Sequence, residues 1–510
     1  MKSEPRLLPA LIIALSLINL IVHLITTGFF AYGIFRDEFY YLACAGRLDL
    51  GYVDHPPLSI YFLSVWKWLF GDSMFSIRLI PAIISSLTLF MLGIFTKRLG
   101  GGRAAISIAM LTYMFTPIFL GMNTIFSMNT FDFLFWITSA YFFLRIVQEK
   151  NPKLWICLGI VIGLGLLNKT SMFWLSAGVF LGTILSPLRS DLKKKYPYLA
   201  VLIALIIFSP FIVWNITHDF AHLEFMRNAA SRKYGGLTPM SFIMDQLLIM
   251  NPLAILIWLP GFYFFFFNAD GKKLKAVLFI WIATFLILLI NGHSKGEYIA
   301  AAYQILFAGG AVIIDKWSLR TNWLKYSLAI PVIIAGLMFS PFARPTLSLE
   351  QFLKFQSALG LEPPSNEGQQ LNRGIPQFYS DMHGWEDLAK NVSRVYQSLP
   401  EEERKMTLVY CSNYGKASAI EYFSKKYPLP KVVCPHNSFW YWWPKTNEFT
   451  TIIIIGGRIE DHLHSLKEVE AVGFYKTKNA MPYENNLTIF IGRGFKRSIE
   501  EMRKSHKEFI

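Results

Sequence analysis

Two adjacent carboxylates, Asp37 and Glu38, follow directly on an uncharged apolar run from Leu7 to Phe30. A carboxylate at such a boundary is partly desolvated, and partial burial makes a carboxylate a stronger base. The same segment, residues 31–74, runs on through Tyr41 to Gly51-Tyr52-Val53-Asp54-His55-Pro56-Pro57-Leu58. Asp54 and His55 are side chains that also bind divalent metals, although two adjacent ligands fall short of a site. Asn129 and Asp132 lie one helical turn apart in an otherwise apolar stretch and so share a face. Lys169 stands in Asn168-Lys169-Thr170, the break between two short apolar runs, while Lys295 and Tyr298 stand in the polar stretch 291–298. The bland readings are a solvated Arg36–Asp37 pair and lysines that snorkel to an interface. The sharper reading takes the groups together. Lysines hold phosphate by charge-assisted hydrogen bonds, so acids, cations and tyrosines on one side suit a lipid-linked phosphate substrate and a base for an attacking hydroxyl.

Those groups need elements to position them, and composition says which kind. The chain has 510 residues, 53% hydrophobic and 16% charged, against roughly 25% charged in soluble proteins. Its 44 Phe, 23 Tyr and 14 Trp exclude disorder. Four cysteines exclude a disulfide scaffold. A net charge of +15 invites a nucleic-acid reading, but the basic residues are scattered among apolar stretches instead of clustered on a polar domain. The chain reads as a polytopic α-helical membrane protein.

Its first run is too long for a signal peptide and lacks a small-residue cleavage site, so it reads as a retained anchor. Further apolar stretches at roughly 75–96, 104–121, 125–147, 154–167, 171–187, 197–214, 243–267, 276–291, 298–314 and 326–340 bring the expectation to about eleven transmembrane helices. Lys2 and Arg6 head the first of alternate loops that are strongly basic, at +13, whereas the other loops and the spans total −1. By the positive-inside rule the N-terminus is cytoplasmic. Asp37, Glu38, Lys169 and Lys295 then share the outer side, and residues 341–510 form an extracytoplasmic α/β domain of charge +3. There the pattern predicts a helix at 385–399, a strand at 406–411, a helix at 416–426, and strands at 431–434, 450–456 and 487–492. Cys411 and Cys434 end two of these strands, as a bridge or as two buried thiols.

With these residues in view, the chain resembles the polyprenyl-phosphate-sugar glycosyltransferases of the GT-C fold. The closest group is glycosyltransferase family 39, the protein mannosyltransferase and aminoarabinose-transferase-like enzymes. The resemblance runs through Asp37-Glu38, Tyr52 to Leu58, the Asn129 stretch, Gly163-x-Gly165-Leu166-Leu167-Asn168-Lys169 and Lys295-Gly296-Glu297-Tyr298, and so covers residues 1–340. The tail resembles a domain of bacterial members at 377–385 and 481–487. The resemblance implies an inverting transferase of the bacterial inner membrane, with a polyprenyl-phosphate-linked sugar as donor and a protein, cell-envelope glycan or lipid as acceptor. It makes Asp37 the catalytic base with Glu38 in support, Lys169, Lys295 and Tyr298 the holders of the leaving phosphate, and Tyr41 and Tyr52 lining residues. Asp54, His55, Asn129 and Asp132 belong to the same substrate-binding set, and no cofactor is implied. His55 stands where relatives often carry Lys, and Asn129 where they commonly carry Asp. Two rival classes are a transporter or flippase of an anionic substrate, and a membrane-anchored binding protein whose tail does the work. Transporters tend to show repeated halves, and the sequence shows no internal repeat.

Overall fold

The computed structural model describes residues 4–30, 32–361, 374–446 and 448–510, with side chains from residue 8 onward. Lys2 and Ala31 of the sequence reading lie outside the described residues. All eleven apolar stretches are helical, but their lengths correct the expected span count. Among the described residues six helices are long and apolar enough to cross a membrane: Leu8–Phe29, Met74–Arg98, Met128–Glu149, Lys195–Thr217, Gly296–Ser318 and Leu324–Ala343. Two further pairs, Met172–Ile184 with Pro187–Lys193 and Pro239–Leu248 with Pro252–Phe267, bend by 101° and 90°, which gives up to eight spans. Prolines explain part of the difference. The stretch at 104–121 breaks at Thr116-Pro117, because Pro lacks the N–H that would continue the helix from Met114. Leu154–Asn168 is simply short: 15 residues rise about 22 Å, less than the ~30 Å hydrocarbon core. In the opposite direction, Leu58–Phe70 is a helix inside the first loop that periodicity left unassigned.

Small residues let the helices approach. Gly310 has its Cα facing the carbonyl of Ile257, where an added Cβ would lie 1.8 Å from the oxygen. Gly178 meets the Ile280 backbone and Gly159 that of Ala200 in the same way. Gly296–Ser318 is the central span, with 89% of its apolar window buried, whereas Leu8–Phe29 is peripheral at 22%. The peripheral helix turns Ile13, Leu17, Ile21 and Ile25 outward. Among its inward polar side chains, which include Ser16 and His23, Asn19 donates to Ser85 Oγ at 3.0 Å.

Among its described residues the tail contains five strands, β1 (Thr407–Tyr410), β2 (Lys431–Val433), β3 (Thr451–Ile455), β4 (Leu466–Tyr475) and β5 (Leu487–Phe495), in the order β2-β1-β3-β5-β4. β1 pairs in parallel with β2 and β3, the helix Tyr414–Phe423 crossing between β1 and β2; β4 and β5 form an antiparallel addition. β4 is the strand that the sequence reading missed. It is an edge strand carrying exposed Lys467, Glu468 and Glu470, charges that blunt an edge and mask its alternation. Val409, Ile453 and Ile489 from one sheet face join the same buried cluster as Phe39, Leu42 and Ile60 of the first loop. Sheet and loop therefore share one core. Cys411 and Cys434 are separate buried thiols, and burial pushes the Cys411 thiol up to about 12.

Two measurements follow from this packing. Gly310→Ala should destabilise the membrane bundle by about 1–3 kcal/mol through overpacking, seen as a lower melting temperature in detergent, while Gly236→Ala, with open space around it, should not. Alkylation of the denatured, unreduced chain should give four adducts by intact mass, one each for Cys44, Cys157, Cys411 and Cys434.

Candidate active site

The helix Arg36–Ala45 presents the carboxylate pair, and its first turn explains why the two acids diverge. The Glu38 carboxylate turns back to accept from its own helix start, Phe35 N at 2.8 Å. Arg78, on the span Met74–Arg98, meets it with Nε at 3.0 Å from Oε1 and Nη2 at 2.7 Å from Oε2. Phe126 N adds a fourth donor at 2.9 Å, and Arg78 Nη2 also donates to Gly33 O at 2.6 Å. Both side chains are fully buried. A buried ion pair holds only when its geometry is good and its polar atoms are satisfied; here both Glu38 oxygens are engaged, while Arg78 Nη1 is buried without a hydrogen-bond partner among the described residues. Glu38 is therefore sealed from solvent and pins the start of the helix that carries Asp37.

Asp37, one residue earlier, points the other way and keeps a third of its side chain exposed. Its Oδ1 accepts from Tyr414 Oη of the tail at 2.8 Å and lies 3.4 Å from Arg36 Nε. Arg36 in turn reaches Asp381 at 3.4 Å and Tyr483 Oη at 3.1 Å, and its backbone N donates to Asp381 O. Burial pushes the Asp381 carboxyl up to about 6 despite the neighbouring Arg36. Burial also holds the His436 imidazole down to about 4.

Behind Asp37 lies an aromatic wall. Tyr40 Oη donates to Asp54 Oδ1 at 2.7 Å. His55 is fully buried, its Nε2 4.0 Å from Asp54 Oδ1 and its ring edge-on to Tyr41 at 5.3 Å. Tyr52 turns its hydroxyl to Cys44 O and Arg47 O, each 3.1 Å away, and so closes the end of the Arg36–Ala45 helix. Tyr41 is buried as well, and desolvation pushes both phenols above their ordinary range. As a metal centre this group is incomplete: among the described residues no three His, Cys, Asp or Glu side chains converge.

A second polar group lines a cavity of about 50 Å³ with Asn129, Asp132, Lys169, Glu297 and Tyr298. Lys169 Nζ donates to Asn129 Oδ1 at 2.7 Å, lies 3.7 Å from Asp132 Oδ2, and sits over the Tyr298 ring at 5.8 Å. Asp132 also accepts from Ser171 Oγ at 2.8 Å and Trp136 Nε1 at 3.1 Å. Lys295 pairs loosely with Glu297 at 3.9 Å and covers the Tyr234 ring. The shared face expected for Asn129 and Asp132, and the placement of Lys169 in a helix break, both appear here. The two groups are mechanically joined, since the Phe126 N–H held by Glu38 lies three residues before Asn129.

Sequence reasoning missed Arg78, Tyr414, Asp381 and the lining role of Glu297. Arg78 carried a signal, because an arginine within the apolar stretch 75–96 needs a partner. Tyr414 carried none, being one tyrosine among 23 and 377 residues away from Asp37 in the chain.

Residues 54–214 match the family described as dolichyl-phosphate-mannose-protein mannosyltransferase. A lipid A galacturonosyltransferase of Rhizobium johnstonii is 22% identical over 331 residues, 64% of this chain and 69% of the relative. An undecaprenyl phosphate-alpha-4-amino-4-deoxy-L-arabinose arabinosyl transferase of Pseudomonas fluorescens is 21% identical over 326 residues, 60% of this chain and 56% of the relative. The match thus spans a little over half to about two thirds of these curated relatives. The crystal structure of ArnT from Cupriavidus metallidurans bound to undecaprenyl phosphate superposes with a TM-score of 0.59 at 14% identity, covering 94% of this chain and 97% of that one. The fold is therefore shared along nearly the whole length, tail included.

The buried pair gives this subsection its test. Arg78→Met should cost about 3–5 kcal/mol of stability, because it strands the Glu38 charge. The double variant with Glu38→Gln should recover much of the loss, read as melting temperature in detergent.

Proposed function

We infer that the chain is a glycosyltransferase of the GT-C fold, a multi-pass membrane enzyme that takes its sugar from a polyprenyl-phosphate-linked donor. The observation that carries this reading is Asp37. It is a carboxylate one third exposed, linked to the Lys169 cavity through the contact of Glu38 with Phe126 N, in a fold shared with a structure bound to undecaprenyl phosphate.

In this reading the acceptor hydroxyl gives its proton to Asp37 while its oxygen attacks the anomeric carbon. The bond from that carbon to the lipid phosphate oxygen breaks, its electron pair leaves with the phosphate, and the configuration inverts. The leaving group is an anion, so most of the catalysis is electrostatic stabilisation of developing charge. Lys169 has three N–H donors; Asn129 and Asp132 hold it in place, and the phosphate takes the remaining one. Tyr298 borders the same space, and Lys295, beside the lining residue Glu297, is the second cation for the phosphate. Glu38 and Arg78 keep the Asp37 helix in register. Tyr41, Tyr52, Asp54 and His55 form the wall behind the base, so the sugar is enclosed by rings and by few open charges.

The strongly basic alternate loops support an extracytoplasmic position for residues 341–510 and a bacterial inner membrane as the location. The names of the relatives make a lipid A-type acceptor the first to test, with a protein hydroxyl and an envelope glycan as the other arms.

The experiment measures transfer of radiolabelled sugar from a panel of polyprenyl-phosphate glycosides, in membranes carrying the wild type, Asp37→Asn or Lys169→Met. Asp37→Asn should lower kcat at least ~100-fold, the loss expected for a general base. Lys169→Met should mainly weaken kcat through the leaving group. Full activity in Asp37→Asn would remove the assigned base, and uptake of substrate without transfer would favour a transporter.

A further inference from the structure

The tail meets the Asp37 carboxylate at Tyr414. Tyr414 Oη donates to Asp37 Oδ1 at 2.8 Å, and Arg36 Nε faces the same oxygen at 3.4 Å. Asp37 Oδ2 accepts no hydrogen bond among the described residues, so the two carboxylate oxygens are not equivalent.

We propose that Tyr414 is a positioning residue of the transfer reaction: by holding Oδ1 of Asp37 it directs the acceptor's proton to Oδ2 and makes the tail a working part of the active site. This rests on Asp37 being the base. A carboxylate free to rotate offers either oxygen in any direction. One anchored by a donor on Oδ1 presents Oδ2 in a single direction, which is the orientation that proton transfer needs. The hydrogen bond survives the transfer, because Oδ1 of the protonated acid still accepts from the phenol.

Tyr414 is built to hold its place. It opens the helix Tyr414–Phe423, where the Asn413 side chain accepts from Lys416 N at 3.0 Å and donates to Glu484 Oε1 at 2.7 Å. Lys416 Nζ then pairs with Glu484 at 3.0 Å, both side chains nearly sealed from solvent. The Tyr414 ring lies 4.9 Å from that of Tyr40 and 4.8 Å from that of His436, with the Arg36 guanidinium 5.5 Å from its centre. Burial raises the phenol well above its ordinary range, so it donates throughout the working pH range.

The groups that face Asp37 are Arg36 and Tyr41 on its own helix, and Asp381, Tyr414 and His436 from the tail. Asp381 changes charge near pH 6, so the test compares variants that share this background instead of reading one profile alone.

The experiment follows kcat/KM against pH for the full-length enzyme in detergent, using the polyprenyl-phosphate glycoside from the panel above that the wild type turns over. A hydrogen bond to an ionised carboxylate favours the charged form. In Tyr414→Phe the acid limb should move up by about one pH unit, with KM for the lipid-linked sugar within about twofold of wild type. Replacement of Tyr414 by 3-fluorotyrosine, a stronger hydrogen-bond donor with the same ring, should move the limb down. A merely structural role would leave both limbs where the wild type has them, and that result overturns the proposal. Should the Phe variant not fold, the fluorinated protein decides alone: an unmoved limb overturns the proposal. If Asp37→Asn is inactive and the limbs do not move, the base stands and Tyr414 falls; if Asp37→Asn is fully active, both fall.

Discussion

Everything on the tail side of this protein depends on one buried ion pair. Glu38 and Arg78 are both sealed from solvent, and the Glu38 carboxylate has four donors on it, from Phe35, Phe126 and two nitrogens of Arg78. Burying two charges is costly, and the cost is offset only when the geometry is good and every lone pair is used. Such a pair has few alternative arrangements. It fixes the start of the Arg36–Ala45 helix against the Met74–Arg98 span, and it fixes the turn that leads to Asn129. Asp37 and the lysine cavity are thereby held in one frame, although they come from different helices.

The second constraint is the shared core between the first loop and the tail. Phe39, Tyr41 and Leu42 from the loop, and Val409, Ile453 and Ile489 from the sheet, form one continuous apolar cluster. A domain that merely hung from the last span would have a core of its own and a wet, polar interface. Here the sheet face and the loop helix each complete the other. Hydrogen bonds from Tyr414 to Asp37 and between Tyr40, Asp54 and Ser438 then cross an interface already fixed by packing. Lys425 and Asp72, and Arg47 and Glu421, fasten its edges. In solvent-exposed positions such pairs contribute little, so the apolar contact carries the docking and the ion pairs set its register.

Much of the candidate site was legible because a membrane protein has few reasons to place polar groups among apolar ones. Asn129, Asp132 and Lys169 stood out for that reason, and the structure gathers them around one cavity with Tyr298. The span count was less legible. Hydropathy reports that a stretch is apolar, but a proline at 117 or a 15-residue length decides whether it crosses, and bent pairs depend on neighbours. β4 hid behind the exposed charges of an edge strand. Tyr52 was read as a lining residue; its hydroxyl is spent on two carbonyls of its own loop.

Taken alone, the chain's order of residues determined its class: a multi-pass helical bundle with an α/β tail. These follow from local quantities, namely run length, loop charge and periodicity, which need no knowledge of distant contacts. Tertiary structure decided what the polar groups do. Asp37 and Glu38 are neighbours of the same charge, and nothing in their order separates them. Only the arrival of Arg78 from another span, and of Tyr414 from a domain hundreds of residues away, makes one acid a buried strut and leaves the other at the surface with an oxygen to spare. That division comes from long-range packing in three dimensions, because desolvation and pairing depend on which groups meet and not on which groups adjoin.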